Sequence, residues 1–170
     1  MTSWRRLLVA AIGAFSLVGG TAVSVGAHEG GTLVEFDSMT GVSAAEAAAQ
    51  RANDRGILPG GAPWVITSGS GQVDREGRLS VQVTGLIIPT QVPPHNPVMA
   101  FSATVSCITK HDRVVNVTTG PFAASAAGDS TIKATVALAH PCKNPEVFVG
   151  LTRTNGQFVW FAHSNVEDEG

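Results

Sequence analysis

The amino-acid sequence predicts a mainly β protein that folds as one antiparallel β-sandwich. Three observations predict it: apolar and polar residues alternate in several short runs, turn residues separate these runs at regular intervals, and no long helical spacing lies between them. This combination is typical of sandwiches and not of alternating strand and helix units. We therefore expect an Ig-like or Greek-key sandwich of about eight or nine strands, with one short helix and one disulfide.

The first residues have the order of an export signal. Arg5 and Arg6 precede an apolar run over 7–18, and small residues follow up to Ala27. The apolar run is shorter than the roughly 20 residues that span a bilayer, and no later run approaches that length. We expect a signal peptide over 1–27 and a mature chain that is secreted or held at the cell envelope, without a transmembrane segment. The paired arginines fit both general secretion and twin-arginine export.

Length and charge limit the domain organisation and the possible partners of the rest of the chain. Residues 28–164 have the length of one domain that buries a continuous core, and we predict that they form the sandwich. The net charge is −2 and the pI is about 6.2. No run of Lys or Arg is concentrated enough to neutralise phosphates, so nucleic acid is not expected as a partner. Residues 165–170 are expected to form an acidic, solvated tail.

Alternation places the strands. Leu79, Val81 and Val83 alternate with polar residues, and the same period recurs along the chain. Strands are predicted at 33–37, 64–67, 71–75, 78–84, 99–107, 113–118, 130–138, 147–151 and 157–163. Between the last two, Asn155-Gly156 predicts a hairpin with a type I′ turn, which requires positive φ at both central residues. Residues 68–71 are expected in a hairpin loop.

One segment favours helix instead. Ser43 and Glu46 have the spacing of a capping box, and the alanine-rich residues that follow favour helix over about 44–54. This helix would lie between the first and second strands. The sequence PGGAP at 59–63 cannot sustain regular structure and is expected to form a tight turn that delivers Trp64 to the core.

Two cysteines stand in the mature chain, and an exported protein folds where disulfides persist. Cys107 falls on the inward stripe of its predicted strand, and Cys142 is its only possible partner within the chain. Closing a loop of 35 residues would stabilise the fold by roughly 3–4 kcal/mol. The predicted bond is therefore buried and structural.

Several segments together carry a resemblance to a known group of proteins. They are 36–42 (FDSMTGV), 55–56 (RG) with 60–66 (GGAPWVI), 85–86 (GL), 96–98 (NPV), 128–129 (GD), 141–142 (PC), 147–149 (VFV) and 160–162 (WFA). In this order the chain resembles a group of small secreted bacterial proteins, typical of actinobacteria and related lineages, with no assigned activity. The resemblance covers nearly all of the mature chain. It implies an exported β-rich domain with a paired cysteine and supplies no catalytic residues.

Histidines supply the sharpest chemical hypothesis. Cleavage after Ala27 would make His28 the first residue, and its free amine and imidazole could chelate copper(II), which favours nitrogen ligands in tetragonal sites. A copper brace of this kind begins the mature chains of lytic polysaccharide monooxygenases and periplasmic copper carriers, although the rest of this sequence does not resemble theirs. A second ligand could be His163, on the last predicted strand, where alternation groups it with Val159 and Phe161. This grouping favours a partly buried, hydrogen-bonded side chain. The other candidates are His95, His111 and His140.

Other chemistry has less support in the sequence. No nucleophile stands in an elbow or beside a paired base, and 68–71 lacks the first glycine of GxSxG. A hydrolase would need a pocket with converging polar groups. We therefore expect a non-catalytic binding or structural module, with an unknown protein or glycan of the cell envelope as its partner. The loop at 90–97 and the turn at 60–63 are the exposed candidates for binding.

Overall fold

Strand pairing organises residues 31–165, the part of the chain that the computed structural model describes, into two sheets that face each other. The strands are β1 (Thr32–Phe36), β2 (Met39–Gly41), β3 (Leu58–Pro59), β4 (Ser68–Asp74), β5 (Arg78–Thr84), β6 (Ala100–Ile108), β7 (Val114–Thr118), β8 (Phe122–Ala123), β9 (Ser130–Thr135), β10 (Lys143–Thr152) and β11 (Phe158–Ser164). Sheet I has the order β1-β4-β5-β9. Sheet II has the order β2-β11-β10-β6-β7, with β3 on β11 and β8 on β6.

The predicted sandwich is confirmed, and over residues 31–165 it has eleven strands instead of the eight or nine predicted. The added strands are the short β2, β3 and β8, of two or three residues each. A segment this short cannot show an alternation of apolar and polar residues, so it can be identified as a strand only from its pairing with a neighbour. All pairings are antiparallel except that of β3 with β11. The predicted strand at 64–67 is reduced to one bridge between Val65 and Ile87.

Sheet I follows the alternation in the sequence. Leu79, Val81 and Val83 of β5 are buried, while the residues between them face outward. Residues 68–71, predicted as a loop, instead form the start of β4. A Cβ on Gly69 would lie 2.6 Å from Met39 Cγ, and one on Gly71 would lie 2.6 Å from the carbonyl oxygen of Ser80. These glycines allow other parts of the same chain to approach closely, and they do not mark a turn.

The helix α1 covers Ala44–Ala49 and ends earlier than predicted. Its capping box is present: the Ser43 amide donates to Glu46 Oε2 at 2.8 Å, and the Glu46 amide donates to Ser43 Oγ at 3.2 Å. Gln50 is left-handed and ends the helix. Beyond it, the side chain of Asn53 accepts hydrogen bonds from the backbone amides of Arg55 and Ile57. A longer helix would need these amides for its own backbone hydrogen bonds. The helix also follows β2, not β1.

The β10–β11 hairpin is confirmed, with a different turn. Gly156 has φ +83°, whereas Asn155 is not among the residues with positive φ. The Gly156 amide donates to the carbonyl of Arg153, and the Asn155 side chain accepts from the amide of Gln157. This is a type I turn followed by a left-handed glycine, in place of the predicted type I′ turn.

The core between the sheets contains a group of packed aromatic rings and the buried end of a disulfide. The Trp64 ring stacks on Phe161 at 4.0 Å between centroids, with Phe101 at the edge of both. The turn after Pro59 therefore delivers Trp64 to the core, as predicted. Cys107 and Cys142 form the predicted disulfide, and Cys107 is fully buried.

Some predictions fall on residues that the structure does not describe. These are the signal peptide over 1–27, the candidate ligand His28 and the acidic part of the tail at 166–170. Within residues 31–165, no helix has the length and hydropathy needed to cross a membrane.

Candidate functional site

The outer face of sheet II, directed away from sheet I, is covered instead of solvated. Strand β6 is buried on both sides, and its small polar residues Ser102, Thr104 and Ser106 face outward. Strand pairing places Glu146 of β10 beside Ser106, and Phe148 beside Thr104. A row of polar residues therefore lies beneath other parts of the chain.

A β-bulge decides which residues of β11 join this face. Ala162 pairs with Val149, but Trp160 pairs with Gly150, so Phe161 is the extra residue. His163 and Trp160 consequently share the outer face, with 5.3 Å between their ring centroids. Uninterrupted alternation would have grouped His163 with Val159 and Phe161, and that sequence-based grouping is wrong.

The segment after α1 lies across this face and carries Arg55. The turn around Asn53 orients it, and the Asn116 side chain of β7 donates to the Arg55 carbonyl at 2.9 Å. The Arg55 guanidinium reaches β10: Nε lies 3.1 Å from Glu146 Oε2, and Nη2 donates to the Asn144 carbonyl at 2.9 Å. Arg55 thus joins the covering segment to both β7 and β10.

Glu146 also contacts His163. Nδ1 of His163 lies 3.1 Å from Glu146 Oε1, and the His163 side chain is 30% exposed. Close contact with the Glu146 carboxylate raises the pKa of His163; burial lowers it, while the charge of Glu146, a hydrogen bond at Ser164 and the charge of Glu46 raise it further. The net result is a raised pKa. His163 is partly buried, as predicted, and its ring contacts the Glu146 carboxylate.

Unpartnered polar atoms concentrate in this region. Within the described residues, five buried side-chain atoms make no hydrogen bond: Arg55 Nε and Nη1, Ser106 Oγ, Trp160 Nε1 and His163 Nδ1. Two of them contact Glu146 at ion-pair distance, without hydrogen-bond alignment. We call Arg55, Ser106, Glu146, Trp160 and His163 the Glu146 cluster. Buried polar groups in folded proteins nearly always find partners. The grouping of these unpartnered atoms therefore marks the region as a candidate functional site.

The cluster opens on a groove of about 1420 Å³, where the edge strand β1 comes beside the start of β10 and the end of β11. Among the described residues, its wall comprises 32–37, Arg55, 70–72, Ser80, Gln82, 144–146 and 163–165. Arg55, Glu146 and His163 belong to both the cluster and the groove. The other members, Ser106 and Trp160, do not line the groove and are almost fully buried.

The remaining histidines stay apart from this site. His111 and His140 are exposed, and Nδ1 of His95 lies 2.8 Å from the Pro93 carbonyl. None of the three lines the groove. Over residues 31–165, no three His, Cys, Asp or Glu side chains are arranged to hold a metal ion.

The predicted binding loops have different surroundings. In the loop at 90–97, Asn96 is buried and its side chain bonds to the carbonyls of Val98 and Ser125, so the loop is held firmly. It presents Val92 and the nearby Met99, which are 96% and 89% exposed. In the turn at 60–63, Gly60 is buried against Phe161, which indicates a packing role.

Arg55, Ser106, Glu146 and Trp160 were not identified as site residues from the sequence. One local signal existed for Glu146, a charge immediately before the buried run 147–149. Nothing local marks Arg55, which reaches the site from a distant turn. Comparison of the chain with protein-family models, with curated proteins and with solved structures finds no match.

Proposed function

We propose that this protein is an exported, non-catalytic binding module of the bacterial cell envelope, and that the groove beside the Glu146 cluster receives its ligand. The observation that carries the proposal is the groove itself, which both sheets line and whose wall includes Arg55 and His163, two of the residues with buried, unpartnered polar atoms. The export-signal pattern at 1–27 and the Cys107–Cys142 disulfide support an extracytoplasmic location.

The size of the groove favours an extended ligand. Its volume of about 1420 Å³ exceeds the roughly 300–1,000 Å³ of small-molecule pockets. All of β1 contributes to its wall, so the groove runs along a strand. A segment of a protein or a glycan chain would fit this shape better than a compact metabolite.

The lining favours hydrogen bonding over apolar contact. On the outer face of sheet I, Gln72 lies between Glu35 and Ser80 in the strand register, and Gln82 pairs with Ser70. Amides and hydroxyls both donate and accept, and they match the polar groups of peptides and glycans.

The test is a binding screen with the purified exported protein against an array of envelope glycans and a library of unstructured peptides. Gln72→Arg, in the groove, should abolish binding of any hit. Thr152→Arg, at an exposed position of β10 outside the groove, is the matched control and should leave binding intact. Hits that tolerate Gln72→Arg, or a screen without hits, would contradict the proposal.

A further inference from the structure

Strand β1 is an edge of sheet I, and one side of its backbone has no pairing partner. It pairs only with β4. In an antiparallel pair only alternate residues exchange hydrogen bonds, so the others direct their N–H and C=O groups away from the neighbouring strand. Apart from β4, no backbone group within residues 31–165 bonds to the backbone of 32–37. The outer side of β1 therefore has donors and acceptors available for a further strand.

Strand β1 also lacks the residues that usually guard an edge. Natural proteins commonly protect edge strands with lysine, with proline or with a bulge. The sequence of β1, TLVEF, has neither lysine nor proline, and its register is irregular only at the start, before Val34. The opposite edge of sheet I, β9, carries the exposed Lys133. Neither β9 nor β7, an edge of sheet II, contributes to the groove, whereas all of β1 lines it.

The charges beside β1 favour a cationic partner. Glu35 and Asp37 are exposed and line the groove, two residues apart, which is the spacing of side chains on one face of a strand. The third carboxylate of the wall, Glu146, is already approached by Arg55 and His163. The Arg55 side chain is only 10% exposed, and among the described residues the wall holds no lysine and no other arginine. A ligand with positive charges on alternate residues would match the two exposed carboxylates.

We propose that an extended cationic peptide adds to sheet I as a fifth strand beside β1, with basic side chains at alternate positions next to Glu35 and Asp37. Main-chain hydrogen bonds supply affinity in such pairings, and side chains supply selectivity. A second copy of this chain fits less well, because pairing of two β1 edges would bring the same carboxylates of both copies together. A glycan lacks the regularly spaced amides that pair with a strand. This inference rests on the proposed function and specifies its ligand.

The experiment follows the backbone amide signals of ¹⁵N-labelled exported protein during titration with a blocked heptapeptide of alternating lysine and threonine. The signals of Val34, Glu35 and Phe36 should shift to saturation, and the β1 amides that do not bond to β4 should exchange more slowly with deuterium. Amides of β7 and β9 should not change. Slower exchange in β7 or β9 in place of β1 would overturn the proposal. Protection of β1 that rises with protein concentration, without peptide, would also overturn it, because it would indicate a second copy.

Matched peptides separate charge from backbone pairing. Replacing every lysine by glutamine should weaken binding about tenfold, the effect of two exposed ion pairs, and replacing every lysine by glutamate should abolish binding. A peptide that is N-methylated at every amide keeps the lysine charges but loses the donors, and it should not bind. Equal affinity for the glutamate or the N-methylated peptide would overturn the proposal, as would no binding of any peptide.

Charge variants of the protein test which carboxylates select the peptide. Glu35→Gln with Asp37→Asn should weaken binding of the lysine peptide about tenfold and leave the affinity for the glutamine peptide unchanged. Glu76→Gln with Asp112→Asn, in exposed turns outside the groove, removes the same charge and should alter neither affinity. Equal weakening of both peptides by the β1 variant would overturn the assignment, since a general disturbance of the strand does not discriminate charge. Unchanged affinity for the lysine peptide would overturn it as well.

Failure of this inference and failure of the proposed function differ in outcome. A glycan or an uncharged peptide that is blocked by Gln72→Arg, without slower exchange in β1, would support the binding module and overturn the added strand. A lysine peptide that protects β1 but tolerates Gln72→Arg would support the added strand and contradict the groove as the binding site.

Discussion

The carboxylate of Glu146 lies 3.1 Å from Nδ1 of His163, on the neighbouring strand of sheet II. This contact joins the last strand to a residue that also holds Arg55, and therefore links β11 to the segment covering the sheet. It has consequences for stability that depend on pH.

The pKa of His163 is raised from its ordinary value of 6.5 in the folded protein, chiefly by its contact with Glu146. The protonated form thus stabilises the fold below pH 6.5, and this contribution is lost as pH rises through the raised pKa. We expect His163→Gln to lower the free energy of unfolding by about 0.5–1 kcal/mol near pH 5.5 and by less near pH 8.5, measured by urea denaturation.

NMR titration of the ring of His163 checks the cause directly. Glu146→Gln should lower the His163 pKa, because it removes the nearby negative charge. A His163 pKa that is unaffected by Glu146→Gln, or a stability difference that grows with pH, would contradict this account.

The disulfide supplies a second prediction. Removing it through Cys107→Ala with Cys142→Ala should cost about 2–5 kcal/mol of unfolding free energy, because the closed loop of 35 residues no longer constrains the unfolded chain. Thiol titration of the denatured, unreduced protein should find no free thiol. Adding a reductant should destabilise the wild type and leave the double variant unchanged; a reductant effect on both would point to another cause.

Close packing at the β-bulge leads to the third prediction. A Cβ on Gly150 would lie 1.9 Å from the Val159 carbonyl oxygen and 2.8 Å from Trp160 Cα. Gly150→Ala should therefore force the hairpin apart and cost about 3 kcal/mol or more in urea unfolding. Gly120→Ala, where nothing lies within 4 Å, is the control, expected within about 0.5 kcal/mol of wild type. Similar losses in both variants would show that the bulge is not the cause.

The sequence predicted the regular parts of the fold well, since their signals are local. The alternation of Leu79, Val81 and Val83 predicts both β5 and its buried face, and two cysteines leave one intramolecular pairing. The capping box at Ser43 fixes where the helix begins. Its end was misplaced because Asn53 offers the backbone a competing set of hydrogen bonds.

Local patterns in the sequence could not predict the candidate site. Ser102, Thr104 and Ser106 have the pattern of a solvated strand face, yet they are buried by a segment far away in the sequence. His163 was identified, but its neighbours were not, because the bulge at Phe161 shifts the alternation by one residue.

What the sequence by itself determined is therefore the set of strands with their own period, the start of the helix and the disulfide. Only the tertiary structure decided which face of sheet II is covered, that Arg55 reaches Glu146, and that His163 joins them. The physical reason is that periodicity records how a strand alternates, whereas burial and pairing depend on distant segments and on shifts of register that one strand does not encode.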